Sequence, residues 1–271
     1  MVVMDEDLNF LGLIDDDEID LADAALTLAA LDHPGIDLAP YHELLDEMSA
    51  RLEAVGGRAD NAVDRADALA VVLAGEFGLA GDTMTYDHPD NADLVRVLDR
   101  RRGLPVSLSI IWVTLARRLG WDAEVLDVPG HVLVLVGEEA DPVIVDPFGG
   151  GVHVDGARIQ ALVRAFGEDR SDPAVTHIAA MPEKAVLVRL LQNQASRAEQ
   201  AGRGRRALEL YTRMTVMAPA TVHAWWQRAR LELVDGDVKA ARASLGSILE
   251  VTRDPGVRQR AAETLEALPS G

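Results

Sequence analysis

The sequence predicts an α+β protein: a helical N-terminal part, a core of one buried helix with a small antiparallel sheet, and an all-helical module behind it. An unusually apolar helical segment at 105–119 is followed by three short β-branched runs, and from about residue 184 the periodicity is helical again. A chain of 271 residues, 48% of them hydrophobic, can hold one large or two modest domains. We therefore predict a body over 1–183 and a helical module over 184–271.

The N-terminal part of the body is predicted to be helical. Residues 19–31 have the spacing of an amphipathic helix, and the acidic run 15–18 precedes it, where negative charge is favourable to the helix dipole. That run lacks the glycine and the spacing of a calcium-binding loop, so stabilisation of the helix start is the preferred interpretation. Further helices are predicted at 40–55, 61–77 and 91–102.

The core is predicted from a change of period after Gly120. Pro105 suits the first position of helix 105–119, and apolar residues on nearly every side of that helix indicate that it is buried. Three β-branched runs then alternate with turn residues, as short strands do. These runs are Ala123–Val128, His131–Val136 and Val143–Asp146.

The second and third of these strands carry a histidine and an aspartate. If Val136 faces Val143 in a hairpin, His131 and Asp146 lie on the same face of the sheet as diagonal neighbours. A carboxylate beside an imidazole fixes the tautomer and supports the imidazolium, which acyl-transfer catalysis requires. The other interpretation is a hydrogen bond that stabilises the end of the hairpin, and the spacing alone favours it.

The composition limits the classes of function. The chain has no cysteine, so a disulfide, a thiolate nucleophile and a thiolate metal site are all excluded. Its N-terminus is acidic where a signal peptide needs positive charge, and its most apolar stretch, 104–116, is too short to span a bilayer. We expect a cytoplasmic protein that does not enter the membrane and that carries no cofactor and no metal.

The formal charge of −19 is unevenly distributed. Residues 184–271 carry 14 basic and 9 acidic groups, a net charge of +5, whereas residues 1–183 carry 12 basic and 36 acidic groups, a net charge of −24. The acidic body should repel nucleic acid and anionic membranes. The basic module could dock either on that body or on an acidic partner.

The helical module repeats itself. Gly202 and Gly236 are 34 residues apart, and four further pairs share that offset. These pairs are Ala195/Ala229, Ala207/Ala241, Tyr211/Leu245 and Met214/Ile248. A 34-residue period with helix–turn–helix punctuation is typical of tetratricopeptide repeats. Because two repeats do not form a stable solenoid alone, a final helix at 255–268 is predicted to cap them.

The first helix of each tetratricopeptide repeat lines a concave groove. With Leu191 and Trp225 taken as inward packing positions, we predict a groove face that binds a protein or peptide partner, with an acidic partner as the main expectation. The face comprises Arg189, Gln192, Asn193, Ser196, His223, Trp226 and Arg230. The alternative is a solvated face with one exposed tryptophan, since Trp225 and Trp226 are adjacent and cannot both point into one core.

Five short motifs follow one another along the body. They are Gly78–Asp82 with Tyr86, Val97–Ser109, Leu115–Gly120, Pro129–Val134 and Asp146–Gly151. By these motifs and by its order of helix, strands and repeats, the chain over residues 19–268 resembles the SirB family of transglutaminase-like proteins with C-terminal tetratricopeptide repeats. The resemblance implies a transglutaminase/papain-like core for the body.

The same resemblance implies where chemistry would reside. In active transglutaminase-like enzymes a cysteine begins the buried helix, and the family's histidine and aspartate match His131 and Asp146. The cysteine position falls on or near Pro105, and proline is not a nucleophile. Because the SirB family generally shows this loss, the resemblance implies a non-catalytic scaffold or regulatory protein that acts through its repeats.

An enzyme is the rival class. Ser107 lies near the start of the buried helix, where free amides can stabilise an oxyanion, and with His131 and Asp146 it would form the triad of a serine hydrolase or acyl transferase. The competing interpretation is that Ser107 and Ser109 only form hydrogen bonds inside the first turn of the helix. A metal site made of His131, Asp146, His153 and Asp155 is a third and weaker hypothesis, because such spacing often arises by accident.

Overall fold

The structure, a computed structural model, describes residues 3–138, 140–166 and 179–269. The chain divides into two compact units, which we call the body and the helical unit. The body comprises Asp17–Leu187, and the helical unit comprises Met1–Asp16 together with Val188–Gly271.

The helices of the first half follow the sequence signals closely. They are α1 (Val3–Leu13), which belongs to the helical unit, and α2 (Leu21–Ala30), α3 (Ala39–Gly56), α4 (Ala62–Leu69), α5 (Leu94–Arg100), α6 (Pro105–Arg118) and α7 (Gly156–Phe166), which belong to the body. Asp20 begins α2 by accepting hydrogen bonds from the backbone amides of Ala22 and Asp23. The predicted helix 61–77 forms, but its second half, Ala70–Glu76, is wound as a π-helix.

The strands form two small sheets in the described part of the body. Two short strands, β1 (Ala80–Gly81) and β2 (Arg102–Gly103), pair in parallel. The larger sheet is antiparallel and has four strands, each paired with the next along the chain. Its strands are β3 (Ala123–Val128), β4 (His131–Val136), β5 (Val143–Asp146) and β6 (Val152–His153). The three predicted strands are therefore confirmed, and the predicted register, with Val136 opposite Val143, is confirmed as well.

Helix α6 is the centre of the body. Every residue from Pro105 to Ala116 is buried, and the helix contacts β3 and β4 as well as α2 and α3. Pro105 occupies the first helical position, where its missing N–H breaks no helical hydrogen bond. The helix can be apolar on all sides because other elements of the body cover it all round.

The helical unit is built from α1 and the last helices of the chain. These are α8 (Glu183–Gln200), whose first turn belongs to the body, α9 (Gly204–Met217), α10 (Val222–Val234), α11 (Val238–Val251) and α12 (Pro255–Ala267). Successive helices from α9 to α12 contact one another. The predicted final helix is thus present.

The placement of the first residues differs from the sequence prediction, which put all of 1–183 in the body. Helix α1 packs on α9 and buries Leu8 and Leu11. The two helices approach closely at Gly12, where an added Cβ would lie 2.7 Å from the carbonyl oxygen of Val216. The physical reason is that Leu8 and Leu11 form an apolar stripe on α1, which is buried because α1 packs against α9.

The 34-residue pairs occupy matching environments. Gly202 and Gly236 both have a positive φ, 69° and 82°, a conformation that glycine adopts at little cost. Both members of each remaining pair are buried: Ala195/Ala229, Ala207/Ala241, Tyr211/Leu245 and Met214/Ile248. Residues 34 positions apart therefore share the same burial or the same backbone conformation.

Several elements carry weak sequence signals and were not predicted, namely α1, α7 and the two-residue strands. Each is short or is held by contacts with distant residues rather than by local periodicity. Within the described ranges, no helix combines the length and the apolar character that crossing a membrane requires.

Candidate functional site

The strands β4 and β5 bring together the predicted histidine and aspartate. His131 Nε2 lies 3.0 Å from Asp146 Oδ1, and the two side chains are 17% and 20% exposed. The register that pairs Val134 with Val145 places both residues on one face of the sheet, as expected. We call this pair the dyad.

Asp146 is held as a carboxylate. Burial by itself raises its pKa, but hydrogen bonds from His131 and from the backbone amides of Gly149 and Phe148 outweigh burial and lower the pKa below its ordinary value. A negative carboxylate fixes the Nε2–H tautomer of the ring and would support a positive charge on it. Nδ1 of His131 has no hydrogen bond within the described ranges.

Aromatic rings surround the dyad on one side. Phe148 meets the His131 ring edge to face, at 6.2 Å between centroids, and meets the Tyr86 ring in the same manner at 5.8 Å. Gly81 makes room for this arrangement, because a Cβ there would lie 2.5 Å from the Phe148 ring. The strand β1 and the loop that carries Tyr86 therefore hold Phe148 against the histidine.

The serine proposed as a nucleophile is not joined to the dyad. Ser107 is fully buried, and its hydroxyl donates to the backbone carbonyl of Asn91 at 2.8 Å. Among the described residues no hydrogen bond links Ser107 to His131 or Asp146. The hydroxyl links the first turn of α6 to the 3₁₀ turn Pro89–Ala92, so the prediction that it bonds inside the first turn of its own helix is wrong. Ser109 Oγ has no hydrogen-bond partner among the described residues.

A buried polar network supports the loop between β1 and α5, and no sequence pattern indicated it beyond the motif that ends in Asp82. Arg100 donates to Asp82 at 2.9 Å and to the Asn91 side chain at 2.9 Å, and Asn91 donates to the Thr85 carbonyl at 2.7 Å. The hydrogen bonds from the Thr85 hydroxyl and amide, then the one from Arg100, hold the pKa of Asp82 far below its usual value. The basic run that begins at Arg100 is thus partly internal.

The residues of the hypothetical metal site do not converge. His153 Nε2 pairs with Asp67 at 3.0 Å, and Asp155 accepts a hydrogen bond from the backbone amide of Arg158 at the start of α7. In the ranges that the structure describes, no three histidine or acidic side chains are grouped as a metal ion would need. The metal hypothesis for His131, Asp146, His153 and Asp155 is therefore not supported.

The predicted groove residues lie on α8 and α10, and several of them bond within the unit. Gln192 Nε2 is 3.4 Å from His223 Nε2, and the Arg230 guanidinium forms an ion pair with Glu199. Asn193 donates to the carbonyl of Arg189 at 2.8 Å, which is a bond within its own helix. Ser196 lies beside the hydroxyl of Tyr211, whose pKa is raised to about 12 by burial and by Glu199. Many polar side chains of this face therefore form their hydrogen bonds and ion pairs with other residues of the helical unit.

The two adjacent tryptophans both pack on one core cluster of the helical unit, contrary to the expectation that they could not share a core, and they differ in their other contacts. Trp225 donates from Nε1 to the Pro219 carbonyl at 2.8 Å and stacks with Arg228, 5.4 Å from its ring centroid. Trp226 packs partly on the core of the helical unit and lines a cleft between α10 and α12. Both rings are half-buried, so the expectation that Trp225 fills the core while Trp226 is exposed is only partly met.

Comparison with known proteins places the body in a family. Residues 39–192, more than half of the chain, match the transglutaminase-like superfamily. A UPF0162 protein from Xylella fastidiosa is 29% identical over 246 residues, which cover 90% of this chain and 88% of the relative. A UPF0162 protein from Vibrio cholerae is 30% identical over 141 residues, which cover 51% of this chain and 52% of the relative.

Two further similarities are more limited. Human F-box only protein 21 is 34% identical over 82 residues, which cover 30% of this chain and 13% of that protein. Among solved structures, a crystal structure of menin aligns with 97% of this chain and 74% of its own, at a TM-score of 0.40 and 13% identity, too remote to support an inference. On the match over residues 39–192, the chain belongs to the transglutaminase-like superfamily.

Proposed function

We propose that this protein is a non-catalytic transglutaminase-like scaffold or regulator, of the SirB type, that binds a protein partner through its helical unit. The observation that carries the proposal is the start of α6. The resemblance puts the cysteine position of a transglutaminase-like enzyme on or near Pro105, the chain has no cysteine, and Ser107 is buried with its hydroxyl on Asn91. Within the described ranges the dyad has no hydrogen bond to a serine, and a cysteine is absent from the sequence.

The helical unit is proposed to be a tetratricopeptide-like module. Its 34-residue pairs share burial, and both glycines at the repeat positions share a positive φ. That agreement is what repeated helix pairs require, because each pair packs on its neighbour in the same way. Under this assignment α8, α10 and α12 are the first helices of successive pairs.

The charge of the module indicates the kind of partner. Residues 184–271 carry a net charge of +5, so an acidic protein segment in the cytoplasm is the partner that we propose. Arginine is suited to such a segment, since its guanidinium matches the geometry of a carboxylate. Nucleic acid and membrane surfaces are disfavoured as partners by the acidic body.

Affinity capture with the full-length protein, followed by calorimetry with the purified partner, tests this proposal. Reversing the charge at Arg189 or Arg230 should weaken binding about tenfold, and binding should weaken as salt rises. Arg203→Glu is the matched control, because Arg203 is exposed outside the predicted face. Equal affinity for all of these variants, together with lost binding on His131→Ala, would place the partner site on the body.

The rival hypothesis of a serine hydrolase or acyl transferase has a separate test. A fluorophosphonate probe labels a serine only when its hydroxyl is activated and reachable. We expect no labelling of the folded protein, because Ser107 is fully buried and donates to Asn91. Labelling that disappears in Ser107→Ala would restore the enzyme hypothesis.

A further inference from the structure

The helical unit contains a cleft that the predicted groove only partly included. It lies between α10 and α12 and has a volume of about 600 Å³. Its lining comprises Val222, His223, Trp226, Val257, Arg260, Glu263 and Thr264. Only His223 and Trp226 belong to the face predicted from the sequence, and the α12 side of the cleft is new.

The repeat explains why α12 contributes to this surface. Trp226 lies 34 residues after Gln192, and Arg260 lies 34 residues after Trp226. These three residues therefore occupy one position of successive first helices, on the face that a repeat of this kind turns towards its groove. The face predicted over α8 and α10 thus continues onto α12.

The two halves of this face differ in how their polar groups are satisfied. Between α8 and α10, the Gln192 side chain is within hydrogen-bonding distance of His223, and Arg230 forms an ion pair with Glu199. Pairs of this kind must be broken before a ligand can use either member. Between α10 and α12 the charged residues of the cleft are not paired with each other, since the Glu263 carboxylate instead accepts from Gln259 at 2.9 Å.

Two residues that line the cleft carry donors without a partner in the described part of the chain. Arg260 is exposed, and among the described residues its guanidinium has no hydrogen bond and no ion pair. Trp226 likewise has no acceptor for its indole N–H in the described ranges, in contrast with Trp225, which donates to Pro219. A fork of cationic donors, a neutral N–H and an apolar wall are the groups that recognise an acidic peptide.

We propose that the cleft between α10 and α12 binds a peptide segment of a partner protein that carries a carboxylate next to an apolar side chain. The carboxylate lies on the Arg260 guanidinium, and the apolar side chain packs between Trp226 and Val257. The indole N–H of Trp226 donates to a backbone carbonyl of the peptide. This inference rests on the proposed function, and it places the specificity of the site on α12 rather than on α8.

Selection from a random displayed-peptide library on the full-length protein tests the inference, and the partner need not be identified first. We expect the enriched peptides to combine Asp or Glu with Leu, Phe or Trp. In fluorescence anisotropy with one enriched peptide, Arg260→Glu should raise Kd about tenfold, and Trp226→Phe, which removes only the N–H and part of the ring, should raise it by a smaller factor. Arg253→Glu is the matched control, an exposed arginine outside the cleft lining, and should leave Kd unchanged.

Each other outcome overturns the inference in a distinguishable way. Peptides that bind Arg260→Glu as well as the unaltered protein but lose affinity on Arg189→Glu would move the site to α8 and leave the proposed function standing. Peptides that lose affinity only on Tyr86→Ala would place binding on the body, and both proposals would fail. A selection that enriches no peptide would contradict a peptide-binding cleft altogether.

Discussion

The dyad of the body and the cleft of the helical unit differ in how their polar groups are used. Around the dyad, His131 is paired with Asp146, and Ser107 is bonded to Asn91. In the cleft, Arg260 and the indole N–H of Trp226 have no partner among the described residues. Polar groups that satisfy one another stabilise a fold, whereas polar groups left at a concave surface are available to a ligand. The proposed function therefore assigns a structural role to the dyad and a binding role to the cleft.

The polar network of Asp82, Asn91 and Arg100 should give the largest effect on stability. Asp82→Ala removes a carboxylate that accepts hydrogen bonds from Thr85 and Arg100 and should lower the free energy of unfolding by about 3 kcal/mol, because several hydrogen bonds to a charged group are lost together. Glu76→Ala, which breaks the exposed pair with Arg51, should leave stability unchanged. Urea denaturation of both variants measures the difference, and equal stability of the two would contradict a structural role for the network.

The next largest effect concerns the packing of Phe148 on His131. Gly81→Ala would put a Cβ 2.5 Å from the Phe148 ring, so the ring must move and stability should fall by about 2 kcal/mol. Gly204→Ala is the control, since nothing lies within 4 Å of a Cβ there. Thermal unfolding should show a lowered Tm for the first variant only. An unchanged Tm for Gly81→Ala would mean that this contact does not hold the aromatic ring in place.

The dyad and the buried serine should each contribute less. His131→Ala leaves Asp146 with backbone partners only and should cost about 1–2 kcal/mol, and Ser107→Ala should cost about 1 kcal/mol for the lost bond to Asn91. Neither change should affect partner binding, because neither side chain lies in the helical unit. Loss of function in Ser107→Ala with an unchanged Tm would instead support the enzyme hypothesis.

The smallest of the expected effects concerns Asp146 and appears in the stability of the protein at acid pH, not near neutrality. Asp146 has a lowered pKa in the folded protein, so the stability that it contributes is present above the unfolded value of about 4 and is lost as pH falls below that value. Asp146→Asn should therefore flatten the loss of stability below about pH 4, whereas Asp60→Asn, at an exposed position, should not. Parallel acid curves for both variants and the unaltered protein would show that the dyad carboxylate is not stabilised by folding.

The sequence was sufficient for features that depend on neighbouring residues. The strands β3, β4 and β5 form where β-branched runs alternate with turns, and the short loop between β4 and β5 fixes the register. That register in turn places His131 beside Asp146. Burial of α6 followed from its apolar character on all sides.

Features that depend on distant residues could not be predicted. Arg100 finds Asp82 and Asn91 only because the chain folds back on itself, and Arg230 finds Glu199 on another helix. The sequence analysis consequently assigned neither arginine an internal partner. It also missed the α12 half of the cleft, although the 34-residue offset from Trp226 to Arg260 was present in the sequence and would have indicated it.

Under the proposed function the helical unit, and not the dyad, contacts the partner. Photo-crosslinking in the native host tests it most directly, with a photoreactive amino acid placed in the full-length protein either at His223, which is exposed at the cleft, or at Tyr86, which is 42% exposed beside the dyad. We predict a crosslinked partner from position 223 and none from position 86. A crosslinked partner from position 86 with none from position 223 would contradict the claim.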